Sequence, residues 1–384
     1  MKVLHVSNCY KPAWESGGVA RYAANLAEQF VTEGHNVTVF TTDAYIDDPP
    51  GHRPVDIDGV ETYYFPNLST TAIRSLNLAS PRGAASTLIK RAGEFDMVHI
   101  HEHRSPLAAM AAYGALLTET PYVVQPHGSL PTETGNMLLK RMWDTAVGNS
   151  ILKRADGYIA LQGAEVEQFQ RKGIAKRDIF TIRNGFSINN SPNAIQVKTF
   201  KENYGLDSDR ATLLYVGRIA QRKGVQTLVE ALSPVDDVQC VIIGPDFGVA
   251  DEIETLISDN ELDHIHYLGF ISEEMKHAAY TYADAFVLPT QAGEGLPTTA
   301  LEALFFRTPV VATQAANVEF IEQNDCGIIT SESAVEIRNA CRKLLEKDLH
   351  AMGERGRNVV QNQYNWHGIA QELEQAYSEI IEKH

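Results

Sequence analysis

Short apolar runs bounded by turn residues alternate along this chain with longer segments in which apolar residues recur every three to four positions. The short runs predict strands, and the longer segments predict helices. A first series of predicted strands covers residues 3–7, 36–41, 97–101, 122–125, 158–161 and 179–182. A second covers residues 212–216, 239–243, 265–268, 285–288, 310–312 and 327–329. Because parallel strands need crossover helices, each series predicts a doubly wound parallel sheet with helices on both faces.

The chain has 384 residues, which exceeds the roughly 250 residues that one hydrophobic core ordinarily serves. Asn184-Gly185 and the polar stretch up to Pro192 separate the two series of strands. We therefore predict an α/β protein with one Rossmann-like domain over residues 1–188 and a second over residues 189–365. Residues 366–384 carry apolar side chains at helical spacing and predict a terminal helix. Ligands of such sheets bind at the carboxyl ends of the strands.

The charge balance is strongly acidic, with 49 acidic against 33 basic residues and a formal net charge of −16. Such a surface repels phosphate backbones, so we expect no nucleic-acid partner. No apolar run reaches the roughly 20 residues that a membrane span needs, and the first residues do not resemble a signal peptide. A cytoplasmic protein is expected. Lys140-Arg141 and Lys153-Arg154 flank an amphipathic stretch, which fits either a solvated helix face or peripheral contact with a membrane surface.

The most informative motif is Gly-Glu-Gly-Leu-Pro-Thr-Thr-Ala-Leu-Glu-Ala at residues 293–303, which follows a predicted strand. Its glycines permit close approach of a ligand, and the helix that begins near Thr298 offers free amides and a positive dipole end to an anion such as a diphosphate. Glu294 precedes this helix and suits sugar hydroxyls, whereas Glu302 lies about a turn inside it and suits a ribose diol. The structural alternative is an acidic helix start that complements the dipole.

A second motif, Gly217-Arg218 with Lys223-Gly224, also follows a predicted strand. Two fixed cations near a helix terminus stabilise the charge of a leaving nucleoside diphosphate and substitute for a divalent metal. Ordinary solvated surface charge is the alternative interpretation of these residues.

The sequence signals for candidate site residues are weaker in the first half of the chain. The pair Gly17-Gly18 follows the first strand and opens a helix, which turn geometry explains equally well. His127 follows another strand end, where a core or surface histidine is the common case. His99, His101 and His103 alternate as metal ligands on a strand would, but no Asp-x-Asp element lies near them. We therefore predict no metal site. The four cysteines are widely spaced, which predicts neither disulfides nor a zinc site.

Together these motifs resemble the retaining glycosyltransferases of family 4, which have the two-domain GT-B fold. The resemblance covers almost the whole chain. In the first half it rests on Gly17-Gly18 before Arg21-Tyr22, residues 34–39, residues 96–101, His127-Gly128 and Asn184-Gly185. In the second half it rests on Gly217-Arg218, Lys223-Gly224, the Glu-x7-Glu pair Glu294 and Glu302, and residues 309–313.

The resemblance implies two domains that face each other across a cleft, with the terminal helix crossing back to the first domain. The first domain would bind the acceptor and the second the nucleotide-sugar donor. Arg218 and Lys223 would hold the donor diphosphate and Glu302 the ribose. Glu294, with the segment Gly295, Leu296, Pro297 and Thr298, would hold the donor sugar and phosphate. His127 would contact the donor sugar, Gly17 and Gly18 would lie near the phosphates or acceptor, and Gly217, Gly269, Phe270 and Ile271 would complete the nucleotide site.

One departure from the family pattern affects the phosphate site. Leu296-Pro297 stands where the family usually has Phe-Gly, and proline brings no amide hydrogen to the donor. All the charged donor-site residues are nevertheless present.

With this resemblance, we expect a metal-independent, retaining transfer of a hexose-type sugar from a UDP- or GDP-sugar to a hydroxyl of a glycan or lipid-linked glycan, by front-face displacement. The nucleotide sugar is a co-substrate, so no cofactor is expected. Two alternatives remain at this point: a nucleotide-sugar epimerase of the same fold, and a non-catalytic subunit that binds a nucleotide sugar.

Overall fold

The computed structural model describes residues 1–14, 18–46, 49, 54–68, 80–132, 137–186, 191–291 and 297–384. These residues form two compact units. The first comprises Met1–Gly185 with Trp366–His384, and the second comprises Phe186–Asn365. The predicted domain junction at residues 188 and 189 lies outside the described residues.

The first unit contains an eight-stranded sheet in the order β3-β4-β2-β1-β5-β6-β7-β8. Its strands are β1 Lys2–Val6, β2 Asn36–Thr42, β3 Val55–Ile57, β4 Val60–Phe65, β5 Met97–His101, β6 Tyr122–Gln125, β7 Gly157–Ala160 and β8 Ile179–Thr181. Neighbours pair in parallel except β3 with β4. The sequence analysis missed that hairpin. Its turn residues Asp58 and Gly59 both have positive φ, and Asp-Gly between alternating apolar residues is a strong hairpin signal.

Helices cover both faces of this sheet, because its strands send buried apolar residues alternately to each side. The described helices of the first unit are Gly18–Thr32, Ala84–Arg91, Pro106–Thr118, Met137–Trp143, Asn149–Lys153, Gly163–Arg171 and Trp366–Lys383. None of them combines the length and the apolar character that a bilayer crossing requires.

The terminal helix Trp366–Lys383 belongs to the core of the first unit, as predicted. Its buried side chains, among them Leu373 and Tyr377, pack in one cluster with Val3 and Phe30. Gly157 makes room for the helix, since a β-carbon there would lie 2.3 Å from Ile380 Cδ1. The last helix of the chain therefore completes the hydrophobic core on one face of the first sheet.

The second unit contains a six-stranded, wholly parallel sheet in the order β11-β10-β9-β12-β13-β14. Its strands are β9 Ala211–Val216, β10 Val238–Ile243, β11 Ile265–Tyr267, β12 Ala285–Leu288, β13 Val310–Thr313 and β14 Gly327–Thr330. Its described helices are Ala194–Asn203, Val225–Leu232, Ala250–Asp259, Glu273–Tyr282, Thr298–Phe305, Phe320–Gln323, Ala334–Leu345 and Leu349–Gln363. The polypeptide passes from β9 to β10 on one side of β9, and β12 later pairs with the other side of β9. The strand order reverses between β9 and β12, which is where doubly wound sheets bind ligands. The predicted fold class of two Rossmann-like α/β domains is confirmed.

Candidate active site

The loops that follow β9 and β12 meet at the reversal point of the second sheet. Gly224 has a φ of 70°, and a β-carbon on it would lie 2.0 Å from the Pro289 carbonyl oxygen. The Gln291 amide donates to the Arg222 carbonyl at 2.9 Å. Backbone contacts therefore join the loop of the Gly-Arg and Lys-Gly pairs to the segment that leads into the Glu-x7-Glu motif.

Both predicted cations lie on the loop after β9. Arg218 is exposed directly beyond the strand, and its guanidinium lies 5.2 Å from the centre of the Phe247 ring. The Tyr215 hydroxyl donates to the Arg218 carbonyl at 2.9 Å, which fixes the backbone at that point. Lys223 is half-buried and ends the short 3₁₀ turn Gln221–Lys223. A guanidinium on an aromatic face keeps its charge and its hydrogen-bond donors available to an anion.

Backbone hydrogen bonds also join the ends of β9, β10 and β11. The Gly217 amide donates to the Ile243 carbonyl at 2.9 Å, and the Gly244 amide donates to the Gly269 carbonyl at 2.8 Å. Gly244 must be glycine, because a β-carbon there would lie 1.8 Å from the Gly217 carbonyl oxygen. Beyond Gly269 the Phe270 side chain is 80% exposed and Ile271 is half-buried. The structure thus brings these predicted nucleotide-site residues to one edge of the sheet.

Glu302 is paired with a lysine that sequence reasoning missed. Glu302 lies in the second turn of the helix Thr298–Phe305, which Pro297 precedes. Its carboxylate oxygens lie 3.3 and 3.4 Å from Lys276 Nζ, and both side chains are mostly buried. Lys276 also lies 2.9 Å from Glu273 on its own helix. Burial and the nearby Glu302 charge raise the pKa of Tyr280 well above its usual value.

Several predicted site residues fall outside the described residues, namely Gly17, Glu294, Gly295 and Leu296. Their assignments stay predictions. Gly18 begins the helix Gly18–Thr32 and is exposed, and a β-carbon on it would meet no atom within 4 Å among the described residues.

His127 follows β6 in the first unit and adopts a left-handed backbone with φ 52°. Its Nε2 lies 3.0 Å from His101 Nδ1, and its ring forms a T-shaped pair with the Tyr22 ring, with centroids 4.8 Å apart. Burial lowers the pKa of His127 to about 3, so the imidazole is neutral at physiological pH. The following Gly128 amide donates to Glu165. The sequence analysis had singled out neither Tyr22 nor Glu165 for a role at this site.

Three further histidines lie beneath His127. His5 Nδ1 lies 3.0 Å from His101 Nε2, and His99 Nδ1 lies 2.6 Å from the Tyr377 hydroxyl. One nitrogen of each of His5, His99 and His101 lies within 4.8 Å of the others, close enough to hold a metal ion. His103 does not join them and instead lies 3.7 Å from Asp144.

Glu102 follows β5 beside β1, where the order of the first sheet reverses. It has a φ of 63°, and its amide donates to the Gln125 carbonyl at 2.8 Å. Burial raises the pKa of Glu102 to about 7, against the effect of a hydrogen bond from Asn8. Non-glycine residues in this backbone region are strained and cluster at functional sites. Glu102 and His127 therefore mark the carboxyl edge of the first sheet.

Comparison with known proteins covers most of the chain. The family Glycosyl transferases group 1 matches residues 196–366, and the Glycosyl transferase 4-like domain matches residues 17–185. The phosphatidyl-myo-inositol mannosyltransferase of Mycobacterium tuberculosis is 25% identical over 383 residues, which span 95% of this chain and 93% of that protein. The alpha-D-kanosaminyltransferase of Streptomyces kanamyceticus is 32% identical over 189 residues, which span 47% of this chain and 48% of that protein. The crystal structure of Anabaena HepE in complex with UDP has a TM-score of 0.77 at 18% identity, covering 99% of this chain and 100% of that one.

Proposed function

Because this chain belongs to the family 4 glycosyltransferases of GT-B fold, we propose that it transfers a hexose-type sugar from a nucleoside diphosphate donor to an acceptor hydroxyl, with retention and without a metal. The observation that carries this proposal is the junction at the reversal point of the second sheet. There the loop of Arg218 and Lys223 is tied to the segment that leads to the helix Thr298–Phe305.

The proposed donor diphosphate binds to the cations and to this helix. Arg218 supplies a planar set of donors for phosphate oxygens, and Lys223 supplies a point charge. The helix start adds amides and a positive dipole end. As the sugar bond breaks, negative charge grows on the diphosphate, and fixed cations stabilise it as a divalent metal would.

The proposed chemistry is a displacement on one face of the sugar. The acceptor oxygen bonds to the anomeric carbon on the side from which the diphosphate leaves. The broken bond leaves its electron pair on the diphosphate oxygen, which takes the acceptor proton. No protein nucleophile is needed, and the anomeric configuration is retained.

The remaining donor-site roles are proposals of the same kind. Glu294 and His127 bind sugar hydroxyls, and Glu302 binds the ribose diol. The ion pair with Lys276 supports this role of Glu302, since it holds the carboxylate in one orientation on the helix. Gly217, Gly269, Phe270 and Ile271 bind the nucleotide mainly through their backbone.

We propose a glycan or a lipid-linked glycan as the acceptor. The name of the mycobacterial relative specifies a lipid acceptor. The helix Met137–Trp143 of this chain carries strongly exposed apolar side chains, with Leu138 70% and Met142 60% exposed, beside Lys140 and Arg141. Apolar side chains next to basic ones suit the surface of an anionic membrane. The proposed membrane contact is therefore peripheral and made by this helix.

Nucleotide binding tests the donor site. We expect one of UDP, GDP and ADP to raise the melting temperature in the presence of EDTA, because a ligand at ~100 times its Kd stabilises by about 2.7 kcal/mol. Arg218→Ala should abolish that shift. Arg210→Ala is the matched control, since Arg210 lies at the amino end of β9 and pairs with Asp207. A shift that needs a divalent metal, or that survives Arg218→Ala, contradicts the proposal.

Turnover distinguishes an enzyme from a binding subunit. We expect the isolated protein to release the nucleoside diphosphate slowly from a nucleotide sugar, with water as acceptor. Proton NMR should show the first-formed sugar with the anomeric configuration of the donor. Formation of the opposite anomer would rule out retention, and complete inertness towards UDP- and GDP-hexoses would favour a non-catalytic role.

Vesicle sedimentation tests the membrane contact. The protein should bind phosphatidylcholine vesicles that contain phosphatidylserine, and Leu138→Glu should reduce binding about tenfold or more through lost apolar burial. Ile195→Glu replaces an equally exposed residue of the second unit and should change nothing. Equal effects of the two variants would assign membrane binding to another surface.

A further inference from the structure

Three imidazoles of the first unit form a hydrogen-bonded chain that ends at His127. His5 Nδ1 lies 3.0 Å from His101 Nε2, and His101 Nδ1 lies 3.0 Å from His127 Nε2. His5 lies inside β1, His101 ends β5 and His127 follows β6, and these three strands are neighbours. This row of hydrogen-bonded histidines therefore runs from the interior of the sheet to its carboxyl edge.

All three rings are neutral at physiological pH. Burial lowers the pKa of His5 and of His127 to about 3, and burial followed by the neighbouring histidines lowers the pKa of His101 well below its usual value. A neutral imidazole carries one ring proton, so one nitrogen donates and the other accepts. Each of the two contacts in the chain needs one proton, and the ring of His101 takes part in both.

Only two proton arrangements satisfy both contacts. In the outward arrangement His5 Nδ1–H donates to His101, and His101 Nδ1–H donates to His127 Nε2. His127 then carries its own proton on Nδ1. In the inward arrangement every bond is reversed, so His127 Nδ1 is a lone pair and His5 carries its proton on Nε2. The tautomer of His127 is thus coupled to that of His5.

The surroundings of His5 favour the outward arrangement. His5 Nε2 is buried and has no hydrogen-bond partner among the described residues. The inward arrangement would leave an N–H donor there without an acceptor, whereas the outward arrangement leaves only a lone pair. Buried N–H groups without a partner are rarer and costlier than under-satisfied acceptors.

We propose that His5 and His101 are positioning residues that fix the tautomer of His127, so that His127 presents Nδ1–H as a hydrogen-bond donor. The functional consequence rests on the proposed donor site, because an N–H at this position suits a hydroxyl oxygen of the donor sugar. His5 acts from inside a strand and through His101, without touching the substrate.

A metal ion is the rival occupant of the same cluster. His5, His99 and His101 each offer one nitrogen within 4.8 Å of the other two. An ion bound by these rings would occupy nitrogen lone pairs that the hydrogen bonds need, and would end the coupling to His127. Elemental analysis of the untagged protein therefore forms part of the test, and a stoichiometric transition metal overturns the proposal.

Nitrogen NMR of the whole protein labelled with ¹⁵N-histidine tests the tautomers directly. Long-range ¹H–¹⁵N correlation should show His5, His101 and His127 all protonated on Nδ1, with assignments from single His→Gln variants. His264 is an internal reference, because its Nε2 bonds the Leu232 carbonyl at 3.1 Å and must carry the proton. An Nε2–H tautomer at His127 overturns the proposal.

A reversal variant tests the coupling. His5→Asp places an acceptor opposite His101, which should turn the chain inward and move the proton of His127 from Nδ1 to Nε2. A purely structural role of His5 would leave the His127 tautomer unchanged. If this variant does not fold, the measurement on the wild-type protein still decides the proposal.

Kinetics of the same variant separate this inference from the proposed function. His5→Asp should lower the rate of sugar release about tenfold, since one hydrogen bond to the substrate is lost, while nucleoside diphosphate affinity stays unchanged. If the three histidines have the expected tautomers but the protein shows no transfer activity, the proposed function is contradicted and this inference is not. If the protein transfers sugar but His127 carries its proton on Nε2, this inference is contradicted and the proposed function is not.

Discussion

The α-carbon of Gly224 lies against the carbonyl oxygen of Pro289, so that a β-carbon on residue 224 would come within 2.0 Å of that oxygen. The two residues follow β9 and β12, the strands between which the order of the second sheet reverses. Their contact brings the loop of Arg218 and Lys223 next to the segment before the helix Thr298–Phe305. A side chain at residue 224 would separate the two halves of the proposed donor site.

Gly224→Ala should therefore destabilise the protein and weaken nucleoside diphosphate binding. A left-handed φ and a clash with a backbone carbonyl together cost about 2–4 kcal/mol. Gly205→Ala is the matched control, because Gly205 has a φ of 63° but a β-carbon on it would meet no atom of the described residues within 4 Å. It should cost about 1 kcal/mol from backbone strain alone. Equal losses of unfolding free energy in urea titrations would show that the Pro289 contact is unimportant.

Tyr377→Phe should lower the free energy of unfolding by about 1–3 kcal/mol, because it leaves a buried His99 nitrogen without its partner hydroxyl at 2.6 Å. Tyr10→Phe provides the comparison. Tyr10 is equally buried in the same apolar cluster, but its hydroxyl has no hydrogen-bond partner among the described residues. That variant should be neutral or slightly stabilising in the same denaturant titration. A larger loss for Tyr10→Phe would contradict the assignment of the terminal helix contact.

Asp144→Asn should destabilise the first unit by about 3 kcal/mol, since it leaves the mostly buried Arg104 guanidinium without its counter-charge. Arg104 Nε and Nη2 donate to the two carboxylate oxygens at 2.8 Å each, and Lys172 donates to one of them at 2.8 Å. Burial alone would raise the pKa of Asp144, but hydrogen bonds from Arg104 and Lys172, with the nearby His103 ring, outweigh it and lower that pKa below its usual range.

The pH dependence of this effect has a definite sign. A carboxyl whose pKa is lowered on folding contributes stability above its unfolded pKa and loses it as the pH falls through the folded value. The difference between wild type and Asp144→Asn should be full at pH 7 and shrink only below about pH 4. Asp178→Asn, at a surface pair 3.7 Å from Arg177, should cost no more than about 0.5 kcal/mol. If Asp144→Asn and Asp178→Asn lower the free energy of unfolding by similar amounts, the stabilising role of Asp144 is contradicted.

Glu102→Gln should stabilise the protein at pH 8 and change little at pH 5. The pKa of Glu102 is raised on folding to about 7, so its favourable contribution is present below the unfolded value and is lost as the pH rises through 7. The gain at pH 8 should reach up to about 3 kcal/mol. Denaturant titrations at both pH values measure it. Glu119→Gln is the matched control, because Glu119 has a φ of 52° but an exposed side chain.

Local patterns in the sequence determined most of the fold. Apolar runs of strand length, separated by helical periodicity, placed the parallel strands of both sheets other than β4 within one residue of their observed ends. They also placed Arg218, Lys223 and His127 just beyond strand ends, because the carboxyl end of a parallel strand is where its loop begins. The hairpin of β3 and β4 was missed, although Asp58-Gly59 carried a usable local signal.

Only the tertiary structure decided which of these side chains interact. Lys276 meets Glu302, Tyr377 meets His99, and His5 meets His101, in each case across a long sequence separation. A strand pattern tells which face a residue occupies, but it does not tell which strand lies alongside. That neighbour follows from the strand order β1-β5-β6 and its register. The sequence by itself therefore determined where the functional groups stand along the chain. The packing of distant elements determined their partners, their burial and hence their protonation.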